Sequence, residues 1–180
     1  MRILDDHSVG VIVDVQERLL PHMTDAVEVE RRTVQLLRGL RILGIPLLYT
    51  EQYPKGLGAT VPAIAAELSE LEPIIKASFS CCDDHSFVDA LAATGRRSVI
   101  LAGIESHVCM LQTTIDRIGT GYAPVVGADA TSSRSPRDRD VAFERMRREG
   151  AVVTTVESIL FELTRYSGTP RFKEISRLVK

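Results

Sequence analysis

The chain has 180 residues, 44% of them hydrophobic and 26% charged, ordinary proportions for a globular protein whose size suits one domain over 1–180. A chain of this length buries roughly 70% of the surface its unfolded form exposes, so it needs neither a metal nor a disulfide to fold. A formal net charge of −2 leaves no basic excess for nucleic acid, and no apolar stretch approaches the length of a membrane span.

The opening MRILDDHSVGVIVDV carries a short apolar run broken by Asp5 and Asp6, unlike a secretory signal. The cysteines, Cys81, Cys82 and Cys109, are odd in number and form no CxxC. That speaks against a disulfide framework or a thiolate metal site and for a reducing cytoplasm.

In chain order, VGVIVDV (9–15) reads as the first strand. A helix follows over about 25–43, with Val34, Leu37, Leu40 and Ile42 on its apolar face and Gly44 and Pro46 as its stop. IPLLYT (45–50) is the second strand, and Pro62 opens a short helix. PIIKAS (73–78) is the third strand, followed by a helix over 86–94 that ends at Gly95. RSVILAG (97–103) is the fourth, followed by a helix over 106–118. YAPVVGAD (122–129) is the fifth, and SPRD (135–138) opens the next helix, with Ser135 as N-cap and Pro136 in the first turn. After Gly150 come a sixth strand, AVVTTV (151–156), a helix over 157–163 and an amphipathic stretch over 170–180.

Strand and helix in regular alternation imply right-handed βαβ units. The expected fold is α/β in three layers, a doubly wound parallel sheet of five to six strands in the Rossmann-like order 3-2-1-4-5-6. Ligands bind such sheets beyond the carboxyl ends of the strands. Asp14, Lys76 and Asp129 stand at such ends, and Cys109 follows the fourth.

Alone, each has a plain structural explanation. Cys109 can be a buried filler, Asp14 a loop cap, and Lys76 a snorkelling strand end. Together they make a constellation. A thiol becomes a nucleophile beside a proton acceptor and a cation, and a helix start favours its thiolate. Strand order raises one tension: Lys76 lies two strands from Asp14, about 10 Å at ~4.8 Å per strand.

Three segments then carry a resemblance. VGVIVDVQERL has Asp14 and Gln16 as Asp-x-Gln, IIKASFSCCDD has Lys76, Phe79 and Ser80 as Lys-x-x-Phe-Ser, and LAGIESHVC runs from Gly103 to Cys109. In order and spacing the chain resembles the isochorismatase-like cysteine hydrolases, the superfamily of nicotinamidases and N-carbamoylsarcosine amidase. TEQYPKGLG (50–58) and DATSSRS (129–135) resemble the isochorismatase-domain branch rather than nicotinamidases.

The resemblance implies a catalytic triad of Asp14 as general base, Lys76 as electrostatic partner and Cys109 as nucleophile. It implies a cis peptide between Ile104 and Glu105, with the N–H groups of Glu105 and Cys109 as an oxyanion hole. The expected reaction is cleavage of a C–N bond in a small amide or related acyl compound through a Cys thioester. Gln16, Tyr53, Phe79, Ile104 and His107 are expected to line the pocket. Where metal-binding nicotinamidases carry Asp-x-His, this chain reads Glu51-Gln52-Tyr53-Pro54, so neither a metal nor another cofactor is expected. The resemblance also implies a homo-oligomer, dimer or tetramer. The alternatives are vinyl-ether hydrolysis of the isochorismatase type, or a catalytically silent binding or scaffold protein on the same fold.

The remaining candidates read more simply. On a helix His107 does not face Cys109, so it suits a positional or pocket-lining role. Cys81 and Cys82 read as packing or pocket wall, with His85 able to approach through space. His7 and His22 read as surface residues. Lys55-Gly56-Leu57-Gly58 is a weak phosphate-loop signal, and the first βα turn lacks a dinucleotide fingerprint. Ser132 to Ser135 suit a pocket rim or a subunit contact.

Overall fold

The continuous apolar runs of the sequence become strands covered on both faces, as parallel sheets require. The computed structural model describes residues 2–180. The strands are β1 (Ser8–Val13), β2 (Leu47–Gln52), β3 (Ile74–Lys76), β4 (Ser98–Ile104), β5 (Ala123–Ser132) and β6 (Val152–Thr154). They pair in parallel as one six-stranded sheet in the order β3-β2-β1-β4-β5-β6. The helices are α1 (Ala26–Ile42), α2 (Pro54–Leu57), α3 (Pro62–Glu67), α4 (His85–Ala93), α5 (Leu111–Gly119), α6 (Pro136–Glu149), α7 (Val156–Thr164) and α8 (Pro170–Leu178).

Alternation along each strand divides the interior into two cores. Ile12, Ile100 and Ala102 pack with Leu36, Leu37 and Leu40 of α1 and with Ile159 and Leu160 of α7. Val9, Val11, Val13, Val99 and Leu101 pack with Phe87 and Leu91 of α4 and with Phe143 and Met146 of α6. Burying each of the larger side chains contributes about 1.5–3 kcal/mol, which makes this patterning the main force holding the helices to the sheet. Ser135 caps α6 as its sequence suggests, accepting from Asp138 N at 3.3 Å.

Several boundaries differ from expectation, each for a local reason. β3 ends at Lys76 rather than 78, because the carbonyls of Ser78 and Phe79 turn in to accept from the lysine ammonium. β5 continues past Asp129 to Ser132. Its register against β4 shifts after Leu101↔Val126, and pairing resumes at Gly103↔Thr131. Asp129 therefore does not stand at a strand end. Its Oδ1 accepts from Val156 N at 2.8 Å and caps α7. The 106–118 helix begins as a π turn over Ser106–Met110, closed by Met110 N donating to Glu105 O at 3.2 Å, before α5 proper. The turn PKGL is the short helix α2, stopped by Gly58, whose carbonyl accepts from Gln16 Nε2 at 2.7 Å.

One glycine shapes the end of the sheet where these pieces meet. Gly103 has φ +139, and a Cβ there would lie 2.1 Å from Val13 O. Only a residue without a side chain lets β4 run this close beside the end of β1, just before the turn that carries Cys109.

Candidate functional site

Asp14 directly follows β1, in the left-handed region at φ 55, a conformation that Asp tolerates better than most residues. Its side chain is wholly buried, and burying a lone carboxylate is costly, so its partners decide whether it is tolerated. Oδ1 accepts from Thr50 Oγ1 at 2.7 Å, and Oδ2 accepts from Lys76 Nζ at 2.6 Å. The distance between β1 and β3 is bridged by the lysine stem, which passes over the end of β2.

Lys76 is equally buried. Its ammonium donates to Asp14, to Gln52 Oε1 at 2.7 Å and to Ser78 O at 3.1 Å, with Phe79 O at 3.3 Å and Cys109 Sγ at 3.8 Å. Burial, the largest single influence, works to lower its pKa, but the charge of Asp14, the neighbouring thiols Cys109 and Cys81 and the hydrogen bond to Asp14 together outweigh it and hold the ammonium above its ordinary value. Asp14, Lys76 and Cys109 thus come together from three separate segments.

Cys109 lies in the π turn, 6% exposed. A helix start was expected to lower its pKa. The opposite holds: burial pushes the thiol up, the Asp14 carboxylate pushes it further, and Lys76 only partly offsets them. The resting arrangement is therefore carboxylate, ammonium and neutral thiol, with no net charge in a dry site. Cys81 is buried beside them, its thiol pushed up to about 12 by burial, and its N–H donates to Thr113 Oγ1 at 3.0 Å. Cys82 Sγ sits 3.8 Å from Thr113 O, and His85 is exposed at the start of α4.

The peptide joining Ile104 to Glu105 is cis. The Glu105 carbonyl accepts from the N–H groups of Val108 and Met110 at 3.1 and 3.2 Å. Its carboxylate accepts from the N–H and Nε of Arg134 at 3.1 and 3.0 Å, tying this turn to the end of β5. A cavity of about 620 Å³ opens beside it, lined by Leu19, His22, Met23, Glu105 and Arg134. Asp14, Lys76 and Cys109 do not line that cavity.

The expected pocket residues part company. Tyr53 and Phe79 flank Lys76 and are 59% and 56% exposed; Tyr53 N donates to Lys76 O at 3.0 Å. Ile104 does not line a pocket: its side chain is wholly inside the core that faces α1. Gln16 is a buried clamp rather than a wall. It donates to Gln52 O at 3.0 Å and accepts from Gln52 N at 2.8 Å, extending the pairing of β1 and β2 through a side chain. His107 turns away from the thiol, with Nδ1 2.9 Å from Ser133 Oγ.

The segment compared above with Asp-x-His is committed elsewhere. Glu51 Oε1 accepts from Thr60 N and Oγ1 at 2.7 and 2.8 Å, and Gln52 faces Lys76. Among the described residues no group of three His, Cys, Asp or Glu side chains is placed to hold a metal. Among them, too, no helix is long and apolar enough to cross a membrane. No role is read for Thr50 from the sequence, and Gln52 figures there only as a poor metal ligand. The signal for them was present, because polar residues at alternate positions of β2 share one face.

Residues 8–158 match the family model described as "Isochorismatase domain". The chain is 43% identical over 176 residues to isochorismatase domain-containing protein 1 of Danio rerio, covering 96% of this chain and 61% of that protein. It thus spans about three-fifths of the length of that relative. Among solved structures, one described as MAR1 ribonuclease from Caenorhabditis elegans superposes with a TM-score of 0.92 at 41% identity, covering 99% of this chain and 92% of the other. Another is YcaC from Pseudomonas aeruginosa, described with hexane-2,5-diol and covalent acrylamide. It gives a TM-score of 0.91 at 27% identity, covering 97% and 89% of the two chains.

Proposed function

Because the chain belongs to the isochorismatase family and has its hydrolase fold, we propose that it is a cysteine hydrolase that cleaves a C–N bond in a small amide or related acyl compound. The observation that carries this reading is the buried cluster in which Lys76 Nζ lies 2.6 Å from Asp14 Oδ2 and 3.8 Å from Cys109 Sγ.

The chemistry follows from the charges. The thiol is neutral at rest, so Asp14 takes its proton as Sγ attacks the carbonyl carbon. Proton transfer in this direction leaves a thiolate beside the Lys76 ammonium, which stabilises it. The carbonyl oxygen gains negative charge and is received by the N–H groups of Glu105 and Cys109. The tetrahedral adduct collapses, the C–N bond breaks, and the amine leaves with the proton from Asp14. Water, deprotonated by Asp14, then hydrolyses the thioester, and the acid departs with Cys109 reprotonated. Acrylamide is an electrophile, so the covalent acrylamide described for the P. aeruginosa protein is consistent with a reactive nucleophile on this scaffold, a role that Cys109 would fill here.

The test is a panel of small amides, ureido acids and isochorismate, quenched early and examined by mass. An acyl adduct on the Cys109 peptide, absent in Cys109→Ser, is expected with an amide or ureido acid. Turnover of isochorismate that survives Cys109→Ser would replace this reading with vinyl-ether hydrolysis. Turnover of RNA alone, the activity in the C. elegans protein's description, would also overturn it. The formal net charge of −2 offers no basic excess for a polyanion such as RNA, and the buried thiol suits a small substrate instead.

A further inference from the structure

β2 contributes no member of the proposed triad, yet it lies between the strands that carry Asp14 and Lys76. Thr50 and Gln52 point to the same face of β2, and each holds one half of the ion pair. Thr50 Oγ1 donates to Asp14 Oδ1, and Gln52 Oε1 accepts from Lys76 Nζ.

Gln52 is itself held at its side-chain amide and at its backbone. Its Nε2 donates to Ala77 O at 2.7 Å, which sets the orientation of the amide and aims Oε1 at the ammonium. Gln16 clamps its backbone through both N–H and C=O. An ammonium has three N–H donors. Asp14, Gln52 and Ser78 O are the three shortest acceptors, which leaves Cys109 Sγ at 3.8 Å as an electrostatic neighbour.

We infer that Gln52 is a positioning residue: it fixes the Lys76 ammonium at the point from which it acts on Cys109. The inference deepens the triad reading and rests on it. Without the amide oxygen, the ammonium turns to the carbonyls of Ser78 and Phe79 and its attraction for a forming thiolate weakens with distance. The ionisable groups around Sγ are Asp14, Lys76 and Cys81, and among them Lys76 alone favours the thiolate.

The experiment is a double-mutant cycle read by iodoacetamide alkylation of Cys109 at fixed alkaline pH, followed by peptide mass. It needs no substrate, so it answers whether or not the hydrolase reading survives. Gln52→Met is expected to slow alkylation about three- to tenfold, the coupling typical of a shared hydrogen-bond network. In a Lys76→Met background the same change is expected to have no further effect. Lys76→Gln keeps an N–H for Asp14 and serves as the second background if the methionine variant fails to fold. An unchanged rate in Gln52→Met would overturn the proposal. So would an equal slowing with and without Lys76, because that marks a general packing role.

Discussion

Two ion pairs of the same length sit in opposite environments. Lys76 and Asp14 are 2.6 Å apart and fully buried at the end of the sheet. Arg31 and Glu28 are also 2.6 Å apart, on the outer face of α1, with about half of each side chain in water. Arg31 and Arg32 hold the Glu28 carboxyl down to about 2 by hydrogen bonding, yet exposed pairs of this kind contribute little because solvent screens them. The buried pair cannot be separated without stranding a charge in a dry core. Distance alone therefore says nothing about importance; what surrounds the pair does.

Breaking the buried pair should have the largest effect. Asp14→Asn is expected to lower unfolding free energy by about 3–5 kcal/mol in urea titrations, by leaving Lys76 uncompensated. It should also abolish acyl transfer. At the same time Cys109 alkylation should become faster, because the carboxylate is one of the groups pushing the thiol up. Slower alkylation in this variant would show that the charge of Asp14 does not oppose the thiolate.

Alkaline pH sharpens the comparison next. Cys81 and Cys109 titrate above free cysteine in the folded chain, so the unfolded chain loses these protons first. By linkage, stability should fall as pH rises above about 9, by about 1.4 kcal/mol per pH unit for each such thiol. Urea midpoints from pH 8 to 10 should show it, with a shallower slope in Cys81→Ala. A flat profile would mean that these thiols titrate normally.

The tie from Glu105 to Arg134 should matter less to stability than to turnover. Arg134→Ala removes a largely exposed side chain while leaving the backbone N–H contact in place. A loss of about 1 kcal/mol or less is expected in thermal melts, with a larger loss in single-turnover acylation if the Glu105 turn receives the oxyanion.

Glu28→Gln should have the smallest effect, with no measurable shift of the urea midpoint at pH 7. The sign of its pH dependence is fixed by the lowered carboxyl. Whatever the pair contributes is present above about 4.5 and lost as pH falls towards about 2. A Glu28→Gln effect as large as that of Asp14→Asn would erase the distinction between the two regions.

Much of this arrangement is legible in the amino-acid sequence. The apolar runs and their spacing specify a parallel sheet with helices on both faces, because each run is too continuous for a half-exposed strand. Asp14, Lys76 and Cys109 could be singled out because strand ends are where such sheets present chemistry. What escaped depends on register. Gln52 looks like a poor metal ligand in the sequence and becomes the partner of Lys76 only through the pairing Gln52↔Lys76. Asp129 looks like a strand end until the irregularity in β5 carries the strand onward.

The sequence by itself determined the alternation of elements, the two apolar faces and the residue types gathered at the carboxyl ends, since these follow from local periodicity and the avoidance of buried unpaired charge. Only the tertiary structure decided that Lys76 reaches over β2 to Asp14, that Gln16 clamps β2 while Ile104 belongs to the core, and that Cys109 rests as a neutral thiol. Distances between segments far apart in the chain, and the loss of water around them, set those outcomes, and neither is written in any one stretch of residues.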